Sequence, residues 1–258
     1  MTTRDDSGRA ALAAGTQPMA KAATARERAR AEITAELLNA ARDQLAEVGA
    51  GSLSLRAIAR EVGMASSAIY RYFPSRDDLL TRLIIEAYDD VGLVAESAQV
   101  TTSDQPPAEQ FRAVWHAVRR WAVAHPHQYA LIFGSPVPGY SAPTDTIAPA
   151  TRLPEVLLRI LAEAAPPGNG DPESIGPRLS TPVLAGVSQA LAPIRATLPM
   201  VMGDALLLAA ITSWTALLGA ISFEIFGHTY NVVDEAPGPR EDFFGAQIQL
   251  MTHLLGLP

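Results

Sequence analysis

One short segment near residue 70 carries several hydrogen-bonding side chains that could take part in binding chemistry. They are Ser66, Ser67, Tyr70 and Arg71. A short third helix predicted over 65–73 leaves those four side chains on its outer face. Its inward-facing residues are Ala65, Ile69, Tyr72 and Phe73. Hydroxyl and guanidinium groups on a short exposed helix can reach base edges in a DNA major groove. The pattern therefore predicts hydrogen bonding to nucleotides.

Two other groupings invite a metal-site interpretation, and the sequence argues against both. His125 and His127 flank Pro126, which breaks a helix, and no carboxylate lies close to them in sequence. Glu224 and His228 have the four-residue spacing of metal ligands on a helix, but a third ligand would have to come from elsewhere. The chain has no cysteine, no G-x-S-x-G motif and no phosphate loop. We expect no metal, no cofactor and no enzymatic activity.

The elements that must position the polar side chains are predicted from apolar spacing and from capping residues. Ser54 caps a short second helix over 55–62, and Gly63 follows where the chain must turn sharply. Ala59 lies four residues before Gly63, and Ile69 lies six residues after it. This is the spacing of a helix-turn-helix, in which a small residue lets the two helices approach closely.

Two longer helices flank this motif. The first is predicted from about Thr24 to Val48, with one apolar face that includes Val48 and with Gly49 as its stop. The fourth begins near Ser75. Ser75 and Asp78, three residues later, resemble a capping box.

The segment from Leu53 to Leu80 resembles the DNA-binding domain of the TetR family of bacterial transcriptional regulators. It reads L-S-L-R-A-I-A-R-E-V-G from Leu53 and A-I-Y-R-Y-F-P-S-R-D-D-L-L from Ala68. The family usually has lysine where this chain has Arg76, and either residue can supply a cation to a phosphate.

The resemblance implies a set of residues that contact DNA. Ser66, Ser67 and Arg71 would face base edges, while Tyr70 and Tyr72 would reach phosphates or thymine methyl groups. The phosphate contacts would come from Ser54 and Arg76, and Arg26, Arg28 and Arg30 could reach phosphates or the minor groove. Alternatives remain: Tyr72 could belong to the core, Ser66 could be only an N-cap, and the three arginines could pair with Glu27 and Glu32.

Composition favours an all-α chain with two functions. Residues 1–82 hold 12 Arg/Lys and 10 Asp/Glu, whereas 83–258 hold 8 and 17, within a net charge of −7. Helical spacing recurs and strand alternation is not sustained.

We predict a disordered tail over 1–22, a helix-turn-helix domain over 23–74, and a helical effector-binding and dimerisation domain over 75–258. The lack of cysteine suits a cytoplasmic protein.

One apolar stretch is long enough to be weighed as a membrane span. It contains 19 uncharged residues between Asp204 and Glu224. Threonine and serine residues dilute it, and no basic residue flanks either end. We predict a buried helix and no membrane association.

The second domain is predicted to bind a small, lipophilic effector. Two segments, residues 121–140 and Trp214 to Gly219, resemble parts of actinobacterial TetR-like regulators. The C-terminal domain of those regulators is named for a tryptophan–histidine–glycine motif. Leu218 replaces that histidine, so its role does not carry over. The effector-binding candidates are Trp115, His116, Trp121, Tyr129, Phe133, Met202 and Trp214. Plain core packing is the alternative for each aromatic residue.

The last two helices carry apolar residues at alternating steps of four and three, a spacing that favours helices packed as in four-helix bundles. The residues are Leu207, Ile211, Trp214, Leu218, Ile221, Ile225, Phe244, Ile248, Met251 and Leu255. We predict that they form a homodimer interface, with packing inside one chain as the alternative. A dimer would place two recognition helices on a palindromic operator.

Together these features predict a ligand-responsive DNA-binding regulator, a repressor that a small apolar effector releases from double-stranded operator DNA. The alternative is a helical binding or adaptor protein of the same fold that has no specific operator.

Overall fold

The computed structural model describes residues 24–164, 181–196 and 203–257, and over these ranges it contains α-helices and no strand. The prediction of an all-α fold is confirmed. The predicted tail over 1–22 and Met202 lie outside the described residues. The helices are α1 (Ala25–Val48), α2 (Leu55–Glu61), α3 (Arg76–Thr101), α4 (Pro107–Ala124), α5 (Pro126–Phe133), α6 (Ile147–Ala164), α7 (Thr181–Arg195), α8 (Asp204–Ile225) and α9 (Pro237–Leu255). Three short 3-10 helices lie at Ala50–Ser52, Ile69–Arg71 and Thr144–Thr146.

The boundaries of the N-terminal helices follow from their caps. Thr24 and Glu27 form a complete capping box, in which each side chain accepts a hydrogen bond from the backbone N–H of the other. At α3, Ser75 accepts from the Asp78 N–H, but the Asp78 carboxylate accepts from the Ser75 hydroxyl. The predicted capping box at Ser75 is therefore only half formed.

The N-terminal core is the cluster of buried apolar residues between Leu37 and Leu83, and it joins α1, α2 and the first turns of α3. Leu79, Leu80 and Leu83 belong to this cluster, so it continues past the predicted domain boundary at residue 74. Val48 is 49% exposed, although its spacing predicts an inward position, because it lies in the last turn of α1.

The C-terminal core fills the space between α3, α4, α6, α8 and α9. Gly92 on α3 lies directly under Arg152 of α6, where an added Cβ would lie 2.7 Å from the Arg152 Cβ. Arg152 also pairs with Asp89 and Glu96 of α3. Close approach and ion pairing together fix α6 against α3.

The helix predicted to be buried is α8. It is long and apolar enough to cross a membrane by length and composition alone. In the structure, it packs against α4, α5, α6, α7 and α9, and its Leu207, Leu217 and Ile221 are buried.

Five of the ten residues predicted for a dimer interface are buried in the chain's own C-terminal core, which corrects the prediction for them, whereas for the other five, which are partly buried, a dimer role stays a prediction. Leu207, Ile221, Phe244, Ile248 and Leu255 are buried there. Ile211, Trp214, Leu218, Ile225 and Met251 are partly buried and pack against the same cluster. The alternating steps describe a helix packed at a shallow angle, and here its partners belong to the same chain.

A largely buried ion pair joins α4 to α8. The Arg119 Nε and Nη2 groups donate to the two carboxylate oxygens of Glu224, each at 2.7 Å, and the side chains are only 12% and 10% exposed. These hydrogen bonds raise the pKa of the Arg119 guanidinium. The Arg119 Cζ atom also lies 5.1 Å from the centre of the Phe244 ring of α9, so three helices meet at this guanidinium.

Glu224→Ala is expected to lower the free energy of unfolding by about 3 kcal/mol, because it leaves the Arg119 cation buried without its partner. Urea unfolding at fixed protein concentration measures the change. The control is Glu109→Ala, because Glu109 and Arg112 are 51% and 41% exposed, and the expected change is below about 0.5 kcal/mol. Equal losses in the two variants would contradict this assignment.

Candidate DNA-binding site and ligand cavity

The recognition segment, residues 65–73, has a tighter conformation than the α-helix predicted for it. Ala68, Arg71 and Tyr72 each donate a backbone hydrogen bond to the residue three positions earlier, and Ile69–Arg71 form a 3-10 helix. Only Phe73 bonds to the residue four positions earlier, Ile69. A segment this short gains few α-helical hydrogen bonds, so its neighbours determine its conformation.

The side chains of the recognition segment separate into two faces. Ile69 and Phe73 are buried in the N-terminal core, whereas Ser67, Tyr70 and Arg71 are exposed. Ser66 and Tyr72 are half-buried, and Ala65 is exposed rather than directed inward as predicted. The structure thus brings Ser67, Tyr70 and Arg71 onto one solvent-facing surface.

The turn before the segment is fixed by backbone geometry. Gly63 has φ +70°, a left-handed value that favours glycine. The Met64 N–H donates to the carbonyl of Ala59 at 2.7 Å, and Ala59 itself is fully buried. The small side chain and the glycine act as the sequence predicts for a helix-turn-helix.

Arg30 of α1 holds the end of the recognition segment. Its Nη2 group donates to the Arg71 carbonyl at 3.0 Å, and its Cζ atom lies 5.4 Å from the centre of the Tyr72 ring. Arg26 and Arg28 are exposed in the first turns of the same helix. Arg30 therefore positions the Arg71 backbone, a role that sequence reasoning missed, while DNA contact by all three arginines stays a prediction.

The loop between α1 and α2 is held at both sides. The Ser54 N–H donates to Gln44 Oε1 at 2.6 Å, and the Ser54 hydroxyl accepts from the Ala57 N–H at 3.4 Å. Arg76 Nη2 donates to the carbonyls of Ala50 and Gly51. Ser54 thus caps α2 as predicted, and Arg76 supports this loop, so its predicted phosphate contact would add to a structural role.

A cavity of about 920 Å³ lies in the C-terminal domain between α3, α5, α6, α7 and α8 and the loop after α5. Its wall is mainly aliphatic. It is lined by Ile84, Tyr88, Leu131, Ile132, Gly134, Ser135, Pro136, Val137, Tyr140, Ala142, Thr146, Ile147, Ala150, Thr151, Pro154, Glu155, Leu158, Ile194, Leu207, Ala210, Ile211 and Trp214.

Of the six predicted effector-binding residues that the structure describes, only Trp214 lies in this wall. Trp115, Trp121 and Tyr129 are buried in the C-terminal core, as the alternative interpretation held, and Phe133 packs beside that core. His116 lines an open groove between α3 and α4, where burial lowers its pKa. The predicted effector roles of these five residues are not supported by their positions.

Tyr129 has a structural role instead. Its hydroxyl donates to the Leu218 carbonyl at 2.9 Å and lies 2.8 Å from the Ser222 hydroxyl, which ties α5 to α8. Burial raises the pKa of Tyr129 to about 12. The phenol therefore remains neutral and hydrogen-bonded across the neutral pH range.

The cavity and the N-terminal core share part of their surroundings. Leu131, Val137 and Tyr140 line the cavity and also pack against the N-terminal core. The Tyr140 hydroxyl lies 2.9 Å from the Thr81 hydroxyl in the second turn of α3. The sequence offered no signal for this contact, because 59 residues separate its two partners.

The metal-site interpretations gain no support from the described part of the chain. No group of three or more potential metal-binding side chains comes together among these residues. Glu224 binds Arg119, and the His125 Nδ1 atom lies 2.9 Å from the Trp121 carbonyl oxygen.

Comparison with known proteins gives two family profiles. One, described as bacterial regulatory proteins of the tetR family, matches residues 37–83. The other, described as a tetracyclin repressor-like C-terminal domain, matches residues 111–251. Between them they cover the N-terminal core and most of the C-terminal core.

Individual proteins are similar over nearly the whole chain. The HTH-type transcriptional regulators Mb1846 of Mycobacterium bovis and Rv1816 of Mycobacterium tuberculosis are each 37% identical over 232 residues, which is 89% of this chain and 95% of theirs. The solved regulatory protein SCO4313 is 30% identical with a TM-score of 0.71, over 89% of this chain and 100% of that one. The TetR family regulator PfmR from Thermus thermophilus shares the fold, at 19% identity and a TM-score of 0.52 over 84% of this chain and 97% of its own.

The family and the curated relatives are transcriptional regulators rather than enzymes. The helix-turn-helix geometry, both family profiles and the full-length relatives agree. The chain belongs to the TetR family and is a DNA-binding transcriptional regulator.

Proposed function

We propose that this regulator is a cytoplasmic repressor that binds a palindromic operator as a homodimer and leaves it when a small molecule fills the cavity. The observation that carries the proposal is the double role of Leu131, Val137 and Tyr140, which line the cavity and pack against the N-terminal core. A ligand in the cavity would therefore touch residues that help to support the recognition segment.

Reading of the operator is assigned to the exposed face of the recognition segment. Arg71 and Ser67 would hydrogen-bond to base edges, and Tyr70, which is 43% exposed, would reach a phosphate or a thymine methyl group. Ser66 is half-buried and would contribute at the edge of this surface. The exposed Arg26 and Arg28, at the start of α1, would bind phosphates and position the protein without reading sequence.

The dimer is assigned to the outward faces of α8 and α9, opposite the residues first predicted. Phe223 on α8 is 57% exposed, and Phe226, directly after the helix, is 43% exposed. On α9, Phe243, Leu250 and Leu254 are 43%, 61% and 49% exposed. Both faces adjoin one cleft, which Gly219, Phe223, Phe243 and Gln247 help to line.

Charge and glycine placement support a second copy of the chain as the occupant of this face. Apart from Glu224, which Arg119 binds, no Asp, Glu, Lys or Arg occurs over 205–225 or over 243–257. Interface cores are depleted in charge in the same way. Gly219 lies inside α8, where glycine costs about 1 kcal/mol relative to alanine, yet a Cβ there would meet nothing of its own chain. Close approach by a partner helix would explain that glycine.

Release by a ligand is assigned to a population shift between two arrangements of α3 and the loop after α5. α3 runs from Arg76, next to the recognition segment, past Ile84 and Tyr88 in the cavity wall. A ligand that binds one arrangement more tightly shifts the protein towards it, by no more than its differential affinity. In the released form the two recognition segments would no longer match successive grooves.

The alternative is an adaptor of the same fold without a specific operator. An unbiased selection of DNA fragments on the purified protein separates the two, and enrichment of no sequence would favour the adaptor.

Arg71→Ala is expected to relax preference at one operator position by about 1–3 kcal/mol, if Arg71 reads a base. Operator affinity is measured against single-base variants at several salt concentrations. Arg120→Ala is the control, because Arg120 is exposed on α4 beside the far end of α3. An equal loss on all sequences, with a smaller salt slope, would assign Arg71 to a phosphate instead.

Leu250→Glu is expected to convert the dimer to monomers and to reduce operator affinity, because it inserts a charge into the proposed interface. Sedimentation velocity measures the mass. Val100→Glu serves as the control, since Val100 is 72% exposed on α3, outside α8 and α9. A Leu250→Glu protein with unchanged mass would exclude this face.

Tyr140→Phe is expected to weaken ligand-induced release about fivefold, because it removes the contact with the Thr81 hydroxyl while keeping the ring. The measurement is operator affinity with and without a metabolite fraction that releases the wild-type protein. Thr81→Val should act alike, whereas Tyr230→Phe, at a 64% exposed tyrosine, should have no effect. Full ligand-induced release in both Tyr140→Phe and Thr81→Val would exclude this hydrogen bond as a link between the cavity and the DNA-binding domain.

A further inference from the structure

We infer that the cavity selects a lipophilic ligand that bears no negative charge and donates hydrogen bonds, with an amine as the best fit. This inference rests on the proposed function only in taking the cavity as the effector site. It follows from the charges and the hydrogen-bond donors that the described wall offers.

Among the described wall residues, Glu155 is the one acidic or basic side chain, and it is exposed. Four arginines on the surrounding helices bind residues outside the wall. Arg82 pairs with Glu86, Arg152 pairs with Asp89 and Glu96, and Arg195 pairs with Asp204. Arg159 donates to Gln99. No cation among the described wall residues is therefore available to neutralise an anionic ligand.

Three hydroxyl groups of the described wall already donate their protons to backbone carbonyls. Tyr88 donates to the Ile132 carbonyl, Thr146 donates to the Pro143 carbonyl, and Thr151 donates to the Ala148 carbonyl. Each hydroxyl oxygen keeps lone pairs that can accept a hydrogen bond. These groups thus favour a ligand that donates hydrogen bonds over one that needs donors.

The start of α6, at the edge of the cavity, supplies few further hydrogen-bond donors. The Ile147 N–H donates to the Thr144 carbonyl, and Pro149 has no N–H. The Trp214 indole nitrogen is fully covered, so its N–H is not offered to the cavity. An anion would enter a wall that supplies few donors and a like charge, whereas an amine would find acceptor oxygens and a carboxylate.

The test compares two fluorescent probes that share one ring system, N-phenyl-1-naphthylamine and its anionic derivative 1-anilino-8-naphthalenesulfonate. We expect the neutral amine to bind the wild-type protein about 10-fold more tightly than the sulfonate. Glu155→Lys should remove most of this preference. Glu163→Lys makes the same charge change at an exposed position of α6 outside the wall and should preserve it.

Ala150→Trp places a large side chain in the cavity and should abolish probe binding there. Loss of binding in this variant therefore identifies the cavity as the binding site. Thr151→Trp replaces this variant if circular dichroism shows a loss of helix. Two results would overturn the inference. One is cavity binding of the sulfonate that equals or exceeds that of the neutral amine. The other is binding of the neutral amine that neither tryptophan variant reduces. A separate operator-binding assay with the amine tests release. Failure there, with the charge preference intact, would count against the effector role of the cavity and leave the ligand class standing.

Discussion

The DNA-facing part of this regulator depends on one constraint: the recognition segment is too short to hold a helical conformation by itself. Its hydrogen bonds are mostly of the three-residue kind, so its shape is imposed from outside. Burial of Ile69 and Phe73 fixes one face, and the Met64–Ala59 bond fixes the entry to the segment. Ser67 and Arg71 face solvent because the opposite face is occupied by the core.

The same dependence makes the segment sensitive to its support. Whatever moves the residues that enclose Ile69 and Phe73 also moves the outward side chains, because the segment has little stability of its own. Arg30 and Arg76 brace two sides of this support through backbone carbonyls. Leu131, Val137 and Tyr140 pack against the same N-terminal core, and they belong to the cavity wall. This shared packing is the physical link that the proposed release by a ligand requires.

How much the sequence could predict depended on how local each interaction is. Caps, the turn at Gly63 and the buried Ile69 are local, and the sequence located them. The 3-10 conformation was not predictable from spacing, because Ile69 and Phe73 fall inward in either helix type. The cavity was not predictable at all: its wall combines five helices and a loop, and aromatic side chains such as Trp115 and Tyr129 fill the core instead.

The spacing of apolar residues could not by itself assign a dimer face. Steps of four and three describe how a helix packs at a shallow angle, and they do not distinguish a partner in the same chain from one in another. Phe244 and Ile248 satisfy that pattern inside the chain, which leaves Leu250 and Leu254 on the opposite face of α9. An outward face must contact either water or protein, and water-facing helices normally carry charges. The absence of charge over 243–257, and not the period, is therefore the property that points to a partner.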